Sequence, residues 1–238
     1  MLFGVGYMEY LLSVIIPTKN RQFYCLEAKK APVFENAKII TRIYNWIDTE
    51  KFLHQNTDTL REKLGLVDKK IILCVASGWS NDKGLGTVQE LSKKLTDNEQ
   101  IVLVGNLPEG TFTGERIMHI PATNSVDELA ELYSMADVFL QPSLEETFGK
   151  VTAEALSCGS PAVCFNSTAN PELIGQGCGA VVAQGEVDEM LVKIRNIFNN
   201  GKCIYITDCR NFAVANFSKD TNLKRYEMIF GQLVGETL

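Results

Sequence analysis

Two glutamates, Glu146 and Glu154, flank the turn Thr147-Phe148-Gly149 that opens a helical pattern from about Gly149 to Ser157. Upstream, Val138-Phe139-Leu140 reads as a short apolar strand that ends at Pro142-Ser143, and Gly149 lets the backbone turn sharply into the helix. The first amides of a helix lack intrahelical acceptors. With the positive end of the helix dipole they favour an anion by ~0.3–1 kcal/mol per charge. The amides of Phe148, Gly149 and Lys150 are therefore candidate phosphate ligands. Glu146 stands on the rim of that anion site, with its neighbour Glu145 as the alternative, although the spacing to Glu154 favours Glu146. Glu154, about two turns further on, offers two acceptor oxygens to a vicinal diol such as a ribose. A diphosphate in the middle with a sugar at each end describes a nucleotide sugar.

These groups need a scaffold, and the chain supplies one by alternation. Ile71–Ala76, Ile101–Val104, Ile117–Ile120, Val138–Leu140, Ala162–Phe165 and Ala180–Val182 read as strands with helices between them. Thr87 with Glu90, and Ser125 with Glu128, form capping-box patterns that place helix starts after the first and third strands. From Val187 onward, Met190, Leu191, Ile194, Ile197 and Phe198 fall on one helical face, which is a core stripe. Such alternation predicts an α/β, Rossmann-like parallel sheet with helices on both faces, whose ligands bind at the carboxyl ends of the strands. Lys83 sits at such an end, in the loop after the first strand, where its ammonium can reach a diphosphate. Gly105, after the second strand, can let a ligand approach the backbone or be a plain turn residue. Tyr133 joins the apolar stripe of Val126, Leu129 and Ala130 and is expected in the core.

Glu146-x7-Glu154, within Leu144-Glu145-Glu146-Thr147-Phe148-Gly149, Glu154-Ala155-Leu156 and Cys158-Gly159-Ser160-Pro161, resembles the signature of family 4 retaining glycosyltransferases of the two-domain GT-B fold. Three further stretches agree with it in order: Tyr44–Asp48, Val75–Gly84 and Glu128–Val138. Two glutamates at this spacing also occur on ordinary solvated helices, but four ordered motifs in one chain outweigh that reading. The resemblance runs from roughly Tyr44 to Phe217 and is to the C-terminal, nucleotide-sugar-binding half. It implies transfer with retention of configuration, with no metal and no cofactor, the nucleoside-diphosphate sugar being the donor substrate. It gives Glu146 and Lys83 the catalytic positions, Glu146 toward the sugar hydroxyls and Lys83 toward the phosphates. It also gives Glu154 the ribose, and Pro121, after the third strand, a place at the base pocket. One departure stands nearby: the loop offers Ser77, Gly78 and Trp79 where the family often has an arginine.

The 238 residues, 45% hydrophobic and 22% charged, can bury a sizeable core. A net charge of −6 and no basic stripe argue against a nucleic-acid surface. Cysteines number seven, without a Cys-x-x-Cys pair, and Cys74 and Cys164 lie in strand-like runs, which fits buried thiols in a reducing compartment. The start, Met1 to Ile16, carries Glu9, has no basic n-region and is too short to span, so the expectation is a cytoplasmic protein without a transmembrane segment. His54 and His119 receive no role.

Residues 1–45 form an N-terminal segment of unassigned role, 46–220 the nucleotide-sugar-binding domain and 221–238 a C-terminal helix. Leu12–Arg21 resembles the opening strand and turn of family 2 glycosyltransferases, which also need an Asp-x-Asp motif; none occurs here. The alternatives are a generic strand before Pro17-Thr18 or a fragment of one enzyme joined to half of another. A complete GT-B enzyme has an acceptor domain about as large as its donor domain, which ~45 residues cannot supply. The expected partners are therefore a nucleotide sugar and an acceptor-binding domain or subunit. On the C-terminal helix, Leu223, Tyr226, Ile229, Phe230 and Leu233 leave an apolar face for such a partner. The other reading from sequence is a non-catalytic nucleotide-sugar binding module.

Overall fold

A computed structural model describes residues 30, 32, 41–111 and 114–234; the segment 12–21 lies outside them, as does the side chain of Leu233. Six strands form one sheet in the order β3-β2-β1-β4-β5-β6, and every neighbouring pair runs parallel. They are β1 (Lys70–Gly78), β2 (Glu99–Asn106), β3 (Ile117–Ile120), β4 (Val138–Gln141), β5 (Ala162–Phe165) and β6 (Gly179–Val182). Each contains or coincides with a run expected from the sequence. Near-continuous apolar runs arise because both faces of a parallel sheet are covered. Ile71, Leu73 and Val75 of β1 pack on one face with residues of α3 (Val126–Met135), α4 (Lys150–Ser157) and α6 (Ile206–Phe217). Ile72 and Cys74 turn to the other face, with α2 (Leu85–Ser92) and α5 (Val187–Asn200). The stripe on α5 is core as expected: Met190, Leu191, Ile194, Ile197 and Phe198 are all buried.

One of the two expected helix starts differs from the sequence expectation. Thr87 lies inside α2, which begins two residues earlier behind Gly84 at φ 80 with no side-chain cap. The capping box fails there because a glycine in the left-handed conformation already makes the turn. At α3, Ser125 does cap, its Oγ accepting from the Glu128 amide at 3.3 Å. The return bond is replaced, since the Glu128 carboxylate accepts from Thr123 Oγ1 instead. Helix α4 starts at Lys150, with Gly149 as its cap at φ 77.

Among the described residues outside this layer, α1 spans Asp58–Lys63 and α7 spans Lys219–Val234. The segment before α1 returns to the start of α7: Ile47 donates its N–H to Phe217 O at 2.9 Å and bridges Ser218. Trp46 meets Tyr226 edge to face at 6.3 Å, while Leu223, Met228 and Phe230 of α7 are exposed. No helix among the described residues is long and apolar enough to cross a membrane. Strand β1 has β2 on one side and β4 on the other, so strand order reverses between β1 and β4. In open α/β sheets the carboxyl ends of the strands at such a reversal are where ligands bind.

Candidate functional site at the carboxyl ends of β1 and β4

The loops after β1 and β4 touch. A Cβ on Gly84 would lie 2.1 Å from Pro142 O, and Leu144 donates its N–H to Asp82 O at 2.9 Å. This contact brings Lys83 and Glu146 together, Nζ to Oε2 at 3.0 Å, although 63 residues separate them in sequence. Glu145 is exposed, and Glu146 is the neighbour that faces the lysine. Glu146 is held along its backbone as well: its N–H donates to Thr168 Oγ1 at 2.8 Å, and the same hydroxyl donates back to Glu146 O at 2.8 Å. Lys83 is the more exposed partner, at 41% of its side chain against 14% for Glu146, so the cation is accessible to an incoming anion.

Next to this pair stands the N-terminus of α4. A Cβ on Gly149 would meet Leu173 Cδ1 at 2.5 Å and Glu146 Cγ at 3.3 Å, so the glycine suits both the positive φ and the close packing of Leu173, with Glu146 in tight contact beside it. The amides of Lys150 and Val151 belong to the helix's first turn, which has no intrahelical acceptors. The Phe148 ring is buried against Tyr44 and Phe217, at 6.5 and 5.5 Å between centroids, so the ring is core and not a ligand contact.

Glu154 lies one turn into α4 and is 5% exposed. Tyr133 of α3 donates its hydroxyl to Oε2 at 3.0 Å, and Lys150 Nζ stands 3.5 Å from Oε1. Burial raises the Glu154 carboxyl above its ordinary value; the Lys150 charge and the Tyr133 hydrogen bond pull the other way. Tyr133 is in the core, as its stripe indicates, but its hydroxyl also aims Glu154, which apolar periodicity cannot reveal. Glu154 and Lys150 line a cavity of about 610 Å³ together with Trp46, Ile47, Asp48, Lys51 and Phe52 and with Thr123, Asn124, Val126 and Leu129. A cavity of about 660 Å³ also occurs beside Gln89, Lys93 and Arg116. It lies where β3 begins, at the end of the sheet opposite the carboxyl ends of the strands.

The remaining sequence candidates separate. Gly105, at φ 132, would bring a Cβ to 2.0 Å from Ala76 O, so strand packing accounts for the glycine. Its carbonyl accepts from His119 Nε2 at 2.7 Å. Trp79 folds into the core and donates Nε1–H to Val104 O at 2.9 Å. Pro121 is exposed at the end of β3, and Thr123 and Asn124, two and three residues on, are the ones that reach the cavity. Sequence reasoning missed both, and Thr168; the break between β3 and the Ser125 cap was the one signal that could have pointed to the first two.

Comparison with known proteins adds the following. The family model for glycosyl transferases group 1 matches residues 56–213, more than half of the chain. The chain is 29% identical over 148 residues to N-acetyl-alpha-D-glucosaminyl L-malate synthase of Bacillus anthracis, covering 59% of this chain and 39% of that one. It is 30% identical over 128 residues to sulfoquinovosyl transferase of Arabidopsis thaliana, covering 50% and 25%. Among solved structures, Anabaena HepE in complex with UDP superposes with a TM-score of 0.78 at 20% identity, over 92% of this chain and 63% of that one. The C-terminal domain of a Francisella tularensis glycosyl transferase group 1 protein superposes at 0.61 and 15% identity, over 73% of this chain and 99% of that domain. The two structural likenesses establish the fold. The chain spans two-fifths or less of the two curated relatives' lengths.

Proposed function

The chain belongs to the glycosyl transferases group 1 family, and on that premise we propose that it binds the donor in a retaining sugar transfer from a nucleoside-diphosphate sugar. The acceptor in this reading is a glycan or lipid-linked saccharide brought by an acceptor-binding domain or subunit. The observation that carries the reading is the Lys83–Glu146 pair at 3.0 Å, placed where strand order reverses and beside the N-terminus of α4. An ammonium and free helix amides together suit a diphosphate. A carboxylate fixed beside them suits the hydroxyls of the sugar that the diphosphate carries.

In this mechanism the bond between the anomeric carbon and the diphosphate oxygen breaks with its electron pair kept on that oxygen, the acceptor hydroxyl oxygen bonds to the anomeric carbon on the same face, and the hydroxyl proton passes to the departing diphosphate. Lys83 and the amides at the start of α4 stabilise that developing charge. Glu146 orients the transferred sugar, and Glu154, inside the 610 Å³ cavity, accepts from the ribose hydroxyls. Thr123 and Asn124 then stand on the side from which the base enters. The donor is a substrate, and no resident cofactor is part of the scheme. The test is incubation with UDP-, GDP- and ADP-glucose and candidate acceptors, with the product anomer read by proton NMR. An α-linked product from an α-linked donor supports the reading, whereas an inverted product overturns retention.

A further inference from the structure

The loop after β5 grips the loop that carries Glu146. Ser143 O accepts from Asn170 Nδ2 at 3.3 Å and from Ser167 Oγ at 3.4 Å. Further along, Thr168 Oγ1 serves as acceptor for the Glu146 N–H and as donor to the Glu146 carbonyl, both at 2.8 Å, and Ala169 donates its N–H to that carbonyl at 3.3 Å. Thr168 is also the one non-glycine residue among the described residues with a positive φ, at 47°. That region is sparsely populated for a β-branched side chain, and a glycine would make the same turn without strain. What a threonine adds is the hydroxyl, and both of its hydrogen bonds end on the backbone of Glu146.

We propose that Thr168 is a positioning residue for the donor site: its hydroxyl fixes the main chain of Glu146 so that the carboxylate meets Lys83 and the transferred sugar. It acts through Glu146 and touches no donor atom itself. The inference rests on the donor-site reading, and its test keeps the two apart. Thr168→Ser, Thr168→Val and Thr168→Gly are compared in two measurements. One is hydrogen exchange at the Glu146 amide without ligand. The other is the calorimetric preference for a nucleotide glucose conjugate over its free diphosphate, using UDP, GDP and ADP.

Thr168→Ser is expected to match the parent in both measurements. In Thr168→Val and Thr168→Gly the Glu146 amide should exchange about 10-fold faster and the preference for the conjugate should fall about 5- to 10-fold, the scale of one or two lost hydrogen bonds. Affinity for the free diphosphate should hold. Thr168→Gly relieves the backbone strain, so it remains informative if the valine variant folds poorly. Retained protection and preference in Thr168→Gly would overturn the proposal, since the backbone alone would then set the loop. Equal losses for diphosphate and conjugate would overturn it too. A parent protein that binds no nucleotide sinks the donor-site reading instead, and the exchange measurement alone then decides whether Thr168 holds Glu146.

Discussion

Glu146 and Glu154 look alike in the sequence and each faces a lysine, but they differ in setting and burial. Glu146 sits on a loop, half-buried, with its carboxylate on Lys83 from another loop and its backbone held by Thr168 from a third. Glu154 sits on a helix and is nearly covered, with one oxygen satisfied by Tyr133 and the other facing Lys150. A carboxylate on a loop assembled from three crossovers can shift its contacts when a ligand arrives. One embedded in a helix–helix contact is fixed in advance, at the cost of a buried charge. The proposed function gives the adaptable group to the sugar and the fixed one to the ribose.

The largest effect is expected from Glu154→Ala, which removes a fixed acceptor from every ligand that carries the nucleotide. Calorimetry should show free diphosphate and conjugate both weakened by about 1–3 kcal/mol. An unchanged affinity would break the ribose assignment. Glu146→Ala should cost the conjugate about 1.5 kcal/mol, at the lower end for a hydrogen bond to a charged group. Free diphosphate should hold or gain up to about 1 kcal/mol, the scale of an exposed ion pair, because Lys83 is released to the phosphates. Equal losses for both ligands would erase the contrast.

A third prediction concerns stability. Burial raises the Glu154 carboxyl above its ordinary value of 4.5, so its contribution to stability is full below pH 4.5 and lost as pH rises through the folded value. At neutral pH the ionised group therefore costs stability, and Glu154→Gln should raise Tm by a few degrees while weakening nucleotide binding. A lowered Tm would mean that the Lys150 and Tyr133 contacts outweigh desolvation. The smallest effect belongs to Tyr133→Phe. Loss of the hydroxyl should raise the Glu154 carboxyl further, moving the acid limb of nucleotide binding to higher pH and costing about 1 kcal/mol of stability. A pH profile superimposable on that of the parent would show that Tyr133 does not tune Glu154.

The sheet was legible because each of its six strands is a local apolar run, which needs no tertiary contact to be recognised. Glu154 was legible for a similar reason, since a helix fixes the direction of a residue one turn in from its cap. The Lys83–Glu146 contact could be anticipated only as a shared end of the sheet, because the pairing depends on Gly84 lying against Pro142. Thr168 was invisible: a threonine in a Ser-Thr-Ala stretch announces neither a positive φ nor two bonds to a residue 22 positions away. Gly105 was ambiguous for the opposite reason, since a glycine admitted for the approach of a neighbouring strand has the same sequence signature as one admitted for a ligand.

The central claim, that the two glutamates divide one donor between them, is tested most directly by calorimetric titration of the parent, Glu146→Ala and Glu154→Ala with UDP, GDP and ADP and their glucose conjugates. The account predicts saturable binding to one base, with Glu154→Ala weakening both ligands and Glu146→Ala weakening the conjugate alone. No binding by the parent at millimolar ligand, or the same pattern of losses in both variants, would contradict it.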